Sequence, residues 1–437
     1  MKPFEQLARI ATALAAVAAT IAMTGCSGMT SASPGPAAAA GVSLHGRVYG
    51  GQQPIAGSSI YLYVAGNTGY GATNTNILNQ TVTTDVNGNF NITGDYTCTT
   101  GQQMYIVAMG GNPGGGTNPQ SGIMAALGDC STLTPSSFIS MNEVTTVGSV
   151  FALAPFMTGY NTVGSSATNA AGLTRAFASV RKLVDVSLGN SAGPGLPAGA
   201  TAPSTEINTL ANVVAACVNS MGGTAGDNST CGKLFSLATP TGGTSPADTI
   251  GLTLAIAQHP SLQAGAIFLY AASNPPFAPF LTTAPADWTM SINYTGFTTP
   301  RSTTIDSGNN VWVADSTNNT VTVLGQTGVP TSGSPISGNG LNGPAAVAMD
   351  ASGNGWVANQ GASSLSVFTS SGGVLSGSPF SPVGLSGPDA LAFDATGDIW
   401  VANSGNNSVS ELSSSGVNLQ QVTTGVTAPS AIAINPK

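Results

Sequence analysis

The last 150 or so residues of the chain repeat themselves, and this repeat restricts the fold more than any other feature of the sequence. Prolines recur 44 residues apart at Pro300, Pro344 and Pro388, and Pro429 follows after 41 residues. Aspartates and tryptophans keep the same spacing inside each unit. They are Asp306, Asp350 and Asp394, and then Trp312, Trp356 and Trp400. Short alternating segments at such a period predict a series of similar antiparallel sheets that stack on one another.

Each tryptophan opens a four-residue signature, which reads Trp312-Val313-Ala314-Asp315 in the first unit and returns at 356–359 and 400–403. The preceding aspartate stands at a Gly-bearing turn, where we expect its carboxylate to accept backbone N–H bonds. This order resembles the NHL repeat. The resemblance implies an NHL-like β-propeller segment of three to four blades over residues 288–437, with each indole between neighbouring sheets.

The number of units does not decide whether the propeller forms a closed ring. The units start near 300, 344, 388 and 429. A closed propeller has about four to eight blades, and three units and a fragment are fewer. The arc is open or truncated, or further blades are too diverged to recognise, or another chain supplies them. The last fragment begins a new unit, or it completes the first blade with residues 288–294 as that blade's outer strand. A homodimer that joins two half-arcs would also complete the propeller.

Catalytic side chains are scarce in the repeat region. Propellers include lyases and lactonases, which need a general base or a metal shell built from histidines and several carboxylates. Residues 291–437 contain no His or Cys, and their one lysine is Lys437. We therefore expect no catalytic residues and no cofactor, with Ca²⁺ as the open alternative. Asp315, Asn359 and Asn403 follow a strand at one repeat position and are the candidates to face a ligand at the channel mouth.

Residues 41–157 show short alternating runs between Gly and Asn turns, the pattern of half-buried strands. Gly46-Arg47-Val48, the segment 54–58 and the turn 84–90 resemble carboxypeptidase regulatory-like and Cna B-type domains. The resemblance implies a transthyretin-like β-sandwich that acts as a spacer or a carbohydrate-facing module. Some Cna B-type domains carry a Lys–Asn crosslink, but this segment contains no lysine, so that crosslink is excluded.

Residues 158–287 change to helical periodicity. Leu173, Phe177 and Val180 recur at steps of four and three, so they predict one face of a helix. No catalytic motif is present in this region, and a structural role is expected. The whole chain is thus predicted to be a multidomain, mainly β protein with a β-sandwich, an α-helical middle region and the NHL-like segment.

The N-terminus has the features of an export signal. Lys2 and Arg9 precede an uncharged stretch, 10–23, that gives about 21 Å of helix, shorter than the roughly 30 Å hydrocarbon core of a bilayer. The junction Met23-Thr24-Gly25-Cys26 resembles the bacterial lipobox. The resemblance implies lipidation of Cys26 after cleavage, and the residue after it, Ser27, favours the outer membrane over the inner one.

We therefore predict a lipoprotein signal peptide over 1–25 and a small-residue tether over 26–40 that anchors the chain to the membrane through lipid. An exported chain allows disulfides, and four cysteines are left after Cys26. Three pairings are open, and the sequence-local one is favoured because it keeps each bridge inside one predicted domain. The four are Cys98, Cys130, Cys217 and Cys231.

The charge balance excludes one class of partner. Nine basic against seventeen acidic residues give a net charge of −8, and the cations are dispersed, so no basic stripe for nucleic acid is formed. The predicted function is an exported, lipid-anchored envelope protein that acts as a non-catalytic binding or scaffold module for a glycan or protein ligand. The alternative is a propeller-type lyase or hydrolase with an Asp-based metal site.

Overall fold

The computed structural model describes residues 39–271 and 275–435 of the chain. The predicted signal peptide over 1–25, the predicted lipidation at Cys26 and nearly all of the predicted tether lie outside the described residues. Within the described ranges, no helix has both the length and the apolar run that crossing a membrane requires.

Ten strands make up the first part of the described fold. They are β1 (Ala39–Ala40), β2 (Leu44–Gly50), β3 (Gln53–Pro54), β4 (Ser59–Val64), β5 (Val82–Thr83), β6 (Asn89–Ile92), β7 (Thr97–Cys98), β8 (Gln103–Met109), β9 (Gly122–Asp129) and β10 (Phe138–Met141). In one sheet, β2 pairs in parallel with β10 and antiparallel with β6 and β3. A second, antiparallel sheet has the order β5-β4-β8-β9, and β1 pairs with β7.

Side-chain alternation in β2 shows how the first sheet is oriented. Leu44 and Val48 are buried, whereas Arg47 between them is exposed. One face of this sheet therefore packs on the core and the other faces solvent, which is the usual arrangement for a half-covered sheet.

Helices follow in the next part of the chain. Among the described residues they are α1 (Glu143–Leu153), α2 (Ala170–Leu183), α3 (Ser204–Val218), α4 (Thr230–Leu237), α5 (Thr249–Gln258) and α6 (Ala264–Phe268). Two 3₁₀ turns (Ala154–Phe156 and Ala167–Asn169) and the short strands β11 (Met157–Gly159), β12 (Thr162–Val163) and β13 (Ala200–Thr201) lie between them, and a further 3₁₀ turn (Cys130–Thr132) joins β9 to β10. The predicted stripe of Leu173, Phe177 and Val180 is the buried face of α2.

One hydrophobic core joins both sheets to the helices, and it extends from Leu44 to Trp288. The sequence pattern predicts a boundary between a β-sandwich over 41–157 and a helical region over 158–287. In the structure the packing does not divide at residue 157, because α1 lies inside the first segment and contacts β9, α2, α3 and α5. All residues of α1 except Phe151 and Ala152 are buried.

Helix α1 also closes the edge of the second sheet. The backbone N–H groups of Met124 and Ala126 on β9 donate to the hydroxyls of Thr146 (2.9 Å) and Ser149 (3.0 Å). The hydroxyl of Thr249 on α5 accepts from Gly122 N at 2.8 Å. An edge strand needs such partners because unpaired, buried N–H groups destabilise a fold.

Two disulfides join the cysteines in the sequence-local pairing. Cys98 at the end of β7 is bonded to Cys130, with 6.2 Å between their Cα atoms. Cys217 on α3 is bonded to Cys231 on α4, with 4.7 Å between the Cα atoms. Each bridge links elements that already pack in the common core.

Three antiparallel sheets form the repeat region, and we call them the first, second and third blades. After β14 (Asn293–Tyr294), the first contains β15 (Pro300–Ile305), β16 (Val311–Asp315), β17 (Thr320–Leu324) and β18 (Ile336–Ser337), and the second contains β19 (Pro344–Met349), β20 (Gly355–Asn359) and β21 (Ser364–Phe368). The third contains β22 (Pro388–Phe393), β23 (Ile399–Asn403), β24 (Ser408–Leu412) and β25 (Asn418–Val422). The register is the same in all three, with each proline opposite the last residue of the tryptophan strand.

The blades stack in sequence order, as the repeat predicts. Trp312 and Ala314 of the first blade share a hydrophobic cluster with Val357 of the second. Trp356 and Ala358 of the second blade share the next cluster with residues of the third, including Leu391, Val401 and Leu412. The result is an arc of stacked sheets.

The two ends of the arc do not join to complete the first blade, which was one of the arrangements that the repeat left open. Residues 288–294 do not supply an outer strand to the first blade: β14 pairs with β13, and β18 is the fourth strand of that blade. At the other end, Ala428 N donates to Asn407 Oδ1 at 2.8 Å, as Gly343 N donates to Asn319 Oδ1 at 2.7 Å two units earlier. The segment 429–435 therefore starts in the position of a new unit, although among the described residues it pairs with no strand.

Candidate functional site

The repeated aspartates each bind the tryptophan six residues later. Trp312 Nε1 donates to Asp306 Oδ2 at 3.0 Å. The equivalent bonds of Trp356 to Asp350 and of Trp400 to Asp394 have the same length. The other carboxylate oxygen accepts the backbone N–H of the residue four positions on, which holds the predicted turn. The sequence predicted the turn bond and missed the indole bond, although the constant offset of six residues could have indicated it.

These hydrogen bonds change the acidity of the three carboxyls. Burial opposes ionisation of Asp350, but the donors Trp356 and Asn354 outweigh it and lower its pKa below the ordinary value. The pKa of Asp306 is lowered in the same way. In the third blade the Thr396 hydroxyl and the Trp400 indole lower the pKa of Asp394 to about 2. All three side chains are thus acceptors that stabilise their own blade.

Asp315, Asn359 and Asn403, the candidates for facing a ligand, are buried, with exposures of 1%, 0% and 0%. Each binds the segment that leads into the first strand of its own blade. Asp315 accepts from Thr298 N at 2.7 Å and Thr299 N at 3.0 Å. Asn359 Oδ1 accepts from Asn342 N, and Asn403 Oδ1 from Ser386 N, both at 3.3 Å. The structure therefore places all three side chains inside the fold, where they bind the chain itself.

Pairs of serines accompany the two asparagines. Asn359 Nδ2 donates to Ser364 Oγ at 3.2 Å and to Ser366 Oγ at 2.9 Å. Asn403 makes the same contacts with Ser408 and Ser410, at 3.2 and 3.0 Å. The first blade has threonines at these positions, and its Asp315 takes a bond from Asn318 Nδ2 instead. The 44-residue spacing of these serines is the sequence signal for this network.

One group of acids comes close enough to ligate a metal. Among the described residues, Asp394, Asp398 and Glu411 bring carboxylate oxygens within 4.8 Å of one another, and all three side chains are half-buried. Asp398 stands where the first and second blades have Asn310 and Asn354, whose amides donate to the repeat aspartate at 2.9 Å. This trio is the part of the arc in which an oxygen-only cation site would be built.

An ion pair joins blades that are not neighbours. Arg301 Nη2, on β15, lies 2.9 Å from Asp389 Oδ1, on β22 of the third blade. Gln360 Nε2, next to the end of β20, donates to the same oxygen at 3.1 Å. The first strands of the arc thus converge at its inner edge, and these polar side chains occupy the space between them.

A buried carboxyl in the N-terminal part was not singled out from the sequence. Glu143 opens α1 with 0% exposure, and both of its oxygens accept from Gly51 N at 3.0 Å. Burial raises its pKa from the ordinary value of 4.5 to about 8, because the backbone N–H groups of Gly51 and Glu143 do not replace the lost hydration. A glutamate at the first position of a helix is common, so its sequence context gave no signal of burial.

Residues 297–324 match the NHL repeat family, and no curated protein matches the chain. Similar solved structures include a selenomethionine-substituted virginiamycin B lyase from Staphylococcus aureus, with 17% identity, a TM-score of 0.26, and coverage of 30% of this chain and 43% of that one. Another is a functionally unknown protein from Desulfotomaculum acetoxidans, with 20% identity, a TM-score of 0.28, and coverage of 34% and 50%.

This chain therefore spans less than half the length of the lyase and half that of the second protein. The family match and the geometry of the blades together show an NHL repeat within a propeller-type arc of stacked sheets.

Proposed function

We propose that this protein is an exported, lipid-anchored component of the bacterial outer membrane that works as a non-catalytic binding or scaffold module. The observation that carries the proposal is that the repeated polar side chains of the arc form hydrogen bonds within the arc itself. Its repeated aspartates and asparagines hold turns, indoles and the entries to the blades. Acids engaged in this way serve the fold rather than proton transfer, so the arc is best suited to present surface to a glycan or protein ligand.

Binding and turnover assayed on the same preparation of the full chain test this role. We expect saturable binding of purified peptidoglycan, lipopolysaccharide or an outer-membrane protein preparation, with no metal-independent turnover of lactone, glycan or peptide libraries. Robust turnover of any library, or the absence of binding to all three probes, contradicts the proposal.

The lipid anchor has its own test, since it concerns residues outside the described part of the chain. Cells that express the full chain are fed an alkyne analogue of palmitate, and the labelled protein is followed by fractionation. We expect label in the outer-membrane fraction and its loss in Cys26→Ser. Label that persists in this variant, or an unlabelled wild-type protein, contradicts lipidation at Cys26.

A lyase or hydrolase with an Asp-based metal site is the competing function, and the trio of Asp394, Asp398 and Glu411 is the observation that favours it. Terbium luminescence and calcium titration of the thermal midpoint, with Asp398→Asn as the matched variant, separate the two functions. A non-catalytic module predicts the same small response in both proteins. Tight Ca²⁺ binding that Asp398→Asn abolishes supports the enzyme.

We further propose that a second copy of the chain extends the arc at the third blade. Trp400 there is half-buried, whereas Trp312 and Trp356 are 0% and 2% exposed between blades. Light scattering of the purified protein is expected to give the mass of a dimer, and Trp400→Glu the mass of a monomer. Leu269→Glu, at a residue 79% exposed in the N-terminal part, is the control that leaves the dimer intact. A monomeric wild-type protein contradicts the assembly.

A further inference from the structure

No sheet formed by the described residues stacks on the outer face of the first blade, which points away from the second blade. The other two blades bury the equivalent face against a neighbour. The buried residues are Val347, Val357 and Phe368 in the second blade and Leu391, Val401 and Leu412 in the third. At the same repeat positions the first blade has Thr303, Val313 and Leu324. In the second and third blades this face packs against the preceding blade. In the first blade another part of the chain takes the place of that preceding blade.

The N-terminal part of the chain covers the centre of this face, where Val313 and Leu324 are only 6% and 9% exposed, and leaves its margin open. Tyr294 and Phe297, on the segment that leads into the first blade, and Arg175 on α2 form the far wall of a groove of about 480 Å³. Ile305, on the blade side, is still 63% exposed. The groove lies within the range of roughly 300–1,000 Å³ that small-molecule sites occupy, and it is at a junction of two packed units, where such sites are frequent.

Charge distinguishes this groove from a simple packing gap. Of the described residues that line it, Arg175 alone is charged. Its Nη1 donates to Asn309 Oδ1 at 3.3 Å, and none of the described carboxylates forms an ion pair with it. A guanidinium without an acidic partner, at the rim of an apolar surface, attracts an anionic group and holds it by charge-assisted hydrogen bonds.

We propose that this groove binds an amphipathic monoanion, with its apolar body between Ile305 on the blade and Tyr294 and Phe297 on the opposite wall, and its carboxylate or sulfonate group at Arg175. The ligand class goes beyond the glycan or protein partner proposed above, while the proposal rests on the same non-catalytic binding role. The apolar wall provides hydrophobic contact area, and Arg175 provides the orientation.

The probes for the test are a matched pair of dyes. 8-Anilinonaphthalene-1-sulfonate carries the anion, and N-phenyl-1-naphthylamine has the same ring system without it. Fluorescence titration of the full chain is expected to give one saturable site for the sulfonate dye and weaker binding of the neutral dye. Dodecanoate is expected to displace the sulfonate dye, and dodecanol to do so less effectively.

Substitutions then assign the site. Arg175→Gln is expected to weaken binding of the sulfonate dye about tenfold and that of the neutral dye less than about twofold, because it removes only the charge. Arg181→Gln, on the same helix but outside the groove, is the matched control and is expected to leave both dyes unchanged. Thr303→Trp is expected to fill the groove and abolish binding of both dyes. If the thermal midpoint of Thr303→Trp shows that this variant does not fold, Ile305→Trp is used in its place.

Three results overturn the proposal: binding of the sulfonate dye that Arg175→Gln does not change, an equal loss of both dyes in that variant, or full binding in a folded groove-filling variant. Any of these results leaves the wider binding role to be judged by the peptidoglycan, lipopolysaccharide and protein probes. If none of those three probes binds but the dye titration is positive, the wider binding role is overturned and the proposed ligand site in the groove is retained.

Discussion

At the scale of single residues, the arc repeats one polar device three times. A carboxylate closes a turn with one oxygen and accepts from an indole N–H with the other, at 3.0 Å in every blade, and the indole is buried in the first and second blades. The indole N–H would otherwise be a buried donor without a partner, and leaving such a group unpaired costs about 1–3 kcal/mol. The aspartate is therefore needed because the tryptophan is buried.

This geometry predicts that Asp350→Ala destabilises the protein by about 1–3 kcal/mol, since it removes the acceptor of the Trp356 indole and the closing bond of the turn. Urea denaturation followed by tryptophan fluorescence measures the loss. Trp356→Phe is the matched variant, because it removes the donor and keeps an aromatic ring. In a double-mutant cycle the two changes are expected to be non-additive, and simple additivity would contradict a direct interaction.

Because Glu143 is buried, we expect the protein to lose stability as the pH rises from about 4.5 to about 8. Burial raises its pKa to about 8 in the folded chain, so the folded state keeps a proton that the unfolded state has released over this range. The free energy of unfolding therefore falls as the pH rises, by at most about 1.4 kcal/mol per pH unit. Urea denaturation at about pH 5 and about pH 8 measures the difference.

Glu143→Gln is the control for this pH dependence. The amide oxygen can still accept from Gly51 N, but the side chain no longer titrates. Burial also raises the pKa of Asp248, and this residue is present in both proteins, so the difference between the two pH profiles isolates Glu143. We expect a flatter profile in the variant, and parallel profiles would show that Glu143 does not titrate in this range.

At the scale of elements, α1 exists against the preference of its sequence. It reads Glu-Val-Thr-Thr-Val-Gly-Ser-Val-Phe-Ala-Leu, and its β-branched residues and glycine are poor helix formers. Tertiary contacts supply the stability, because its apolar side chains fill the core and two of its hydroxyls accept N–H bonds from β9. Thr and Ser are thus placed where the sheet edge needs acceptors.

The start of α1 depends on Asn142, whose side chain accepts from Thr145 N at 3.0 Å while Thr145 Oγ1 accepts from Asn142 N at 3.0 Å. Asn142→Ala is expected to cost about 1 kcal/mol or somewhat more, because it also removes the bond to Gly189 O. Asn169→Ala is the matched control: Asn169 precedes α2 but makes no side-chain cap bond. Thermal and urea unfolding compare the two variants, and equal losses would contradict the capping role.

At the scale of the whole molecule, long-range contacts decide how the arc is curved and joined. Arg301 and Asp389 link the first and third blades past the second one. At the other side, Thr295 N donates to Gly199 O at 2.8 Å and fixes the approach to the first blade on the N-terminal part. The inner edge of the arc is thus held by polar contacts, and its body by the two apolar clusters between blades.

The ion pair is expected to contribute little to stability and to depend on salt. Arg301 is 41% exposed, so solvent screens its attraction to Asp389, and a coupling energy below about 1 kcal/mol is expected. A double-mutant cycle of Arg301→Gln and Asp389→Asn at low and high ionic strength measures it. Arg181→Gln, an exposed cation with no ion pair among the described residues, is the single-site control. A coupling that does not weaken with salt would contradict this assignment.

The sequence by itself determined the blades. A 44-residue period places proline, aspartate, tryptophan and the following strand in the same local order each time, and these short-range patterns are enough to specify turns, strands and the stacking order. The sequence-local disulfide pairing was favoured on the same ground, because each pair of cysteines lies within one compact segment.

Only the tertiary structure decided what lies between distant segments. Gly51 meets Glu143 across 92 residues, α1 forms because of the core around it, and Asp315, Asn359 and Asn403 turn inward to bind the chain. The groove beside Arg175 likewise depends on a helix and a blade that are far apart in sequence. Such contacts are set by how elements pack, and outside the repeat the periodicity within one element does not show which distant element it meets.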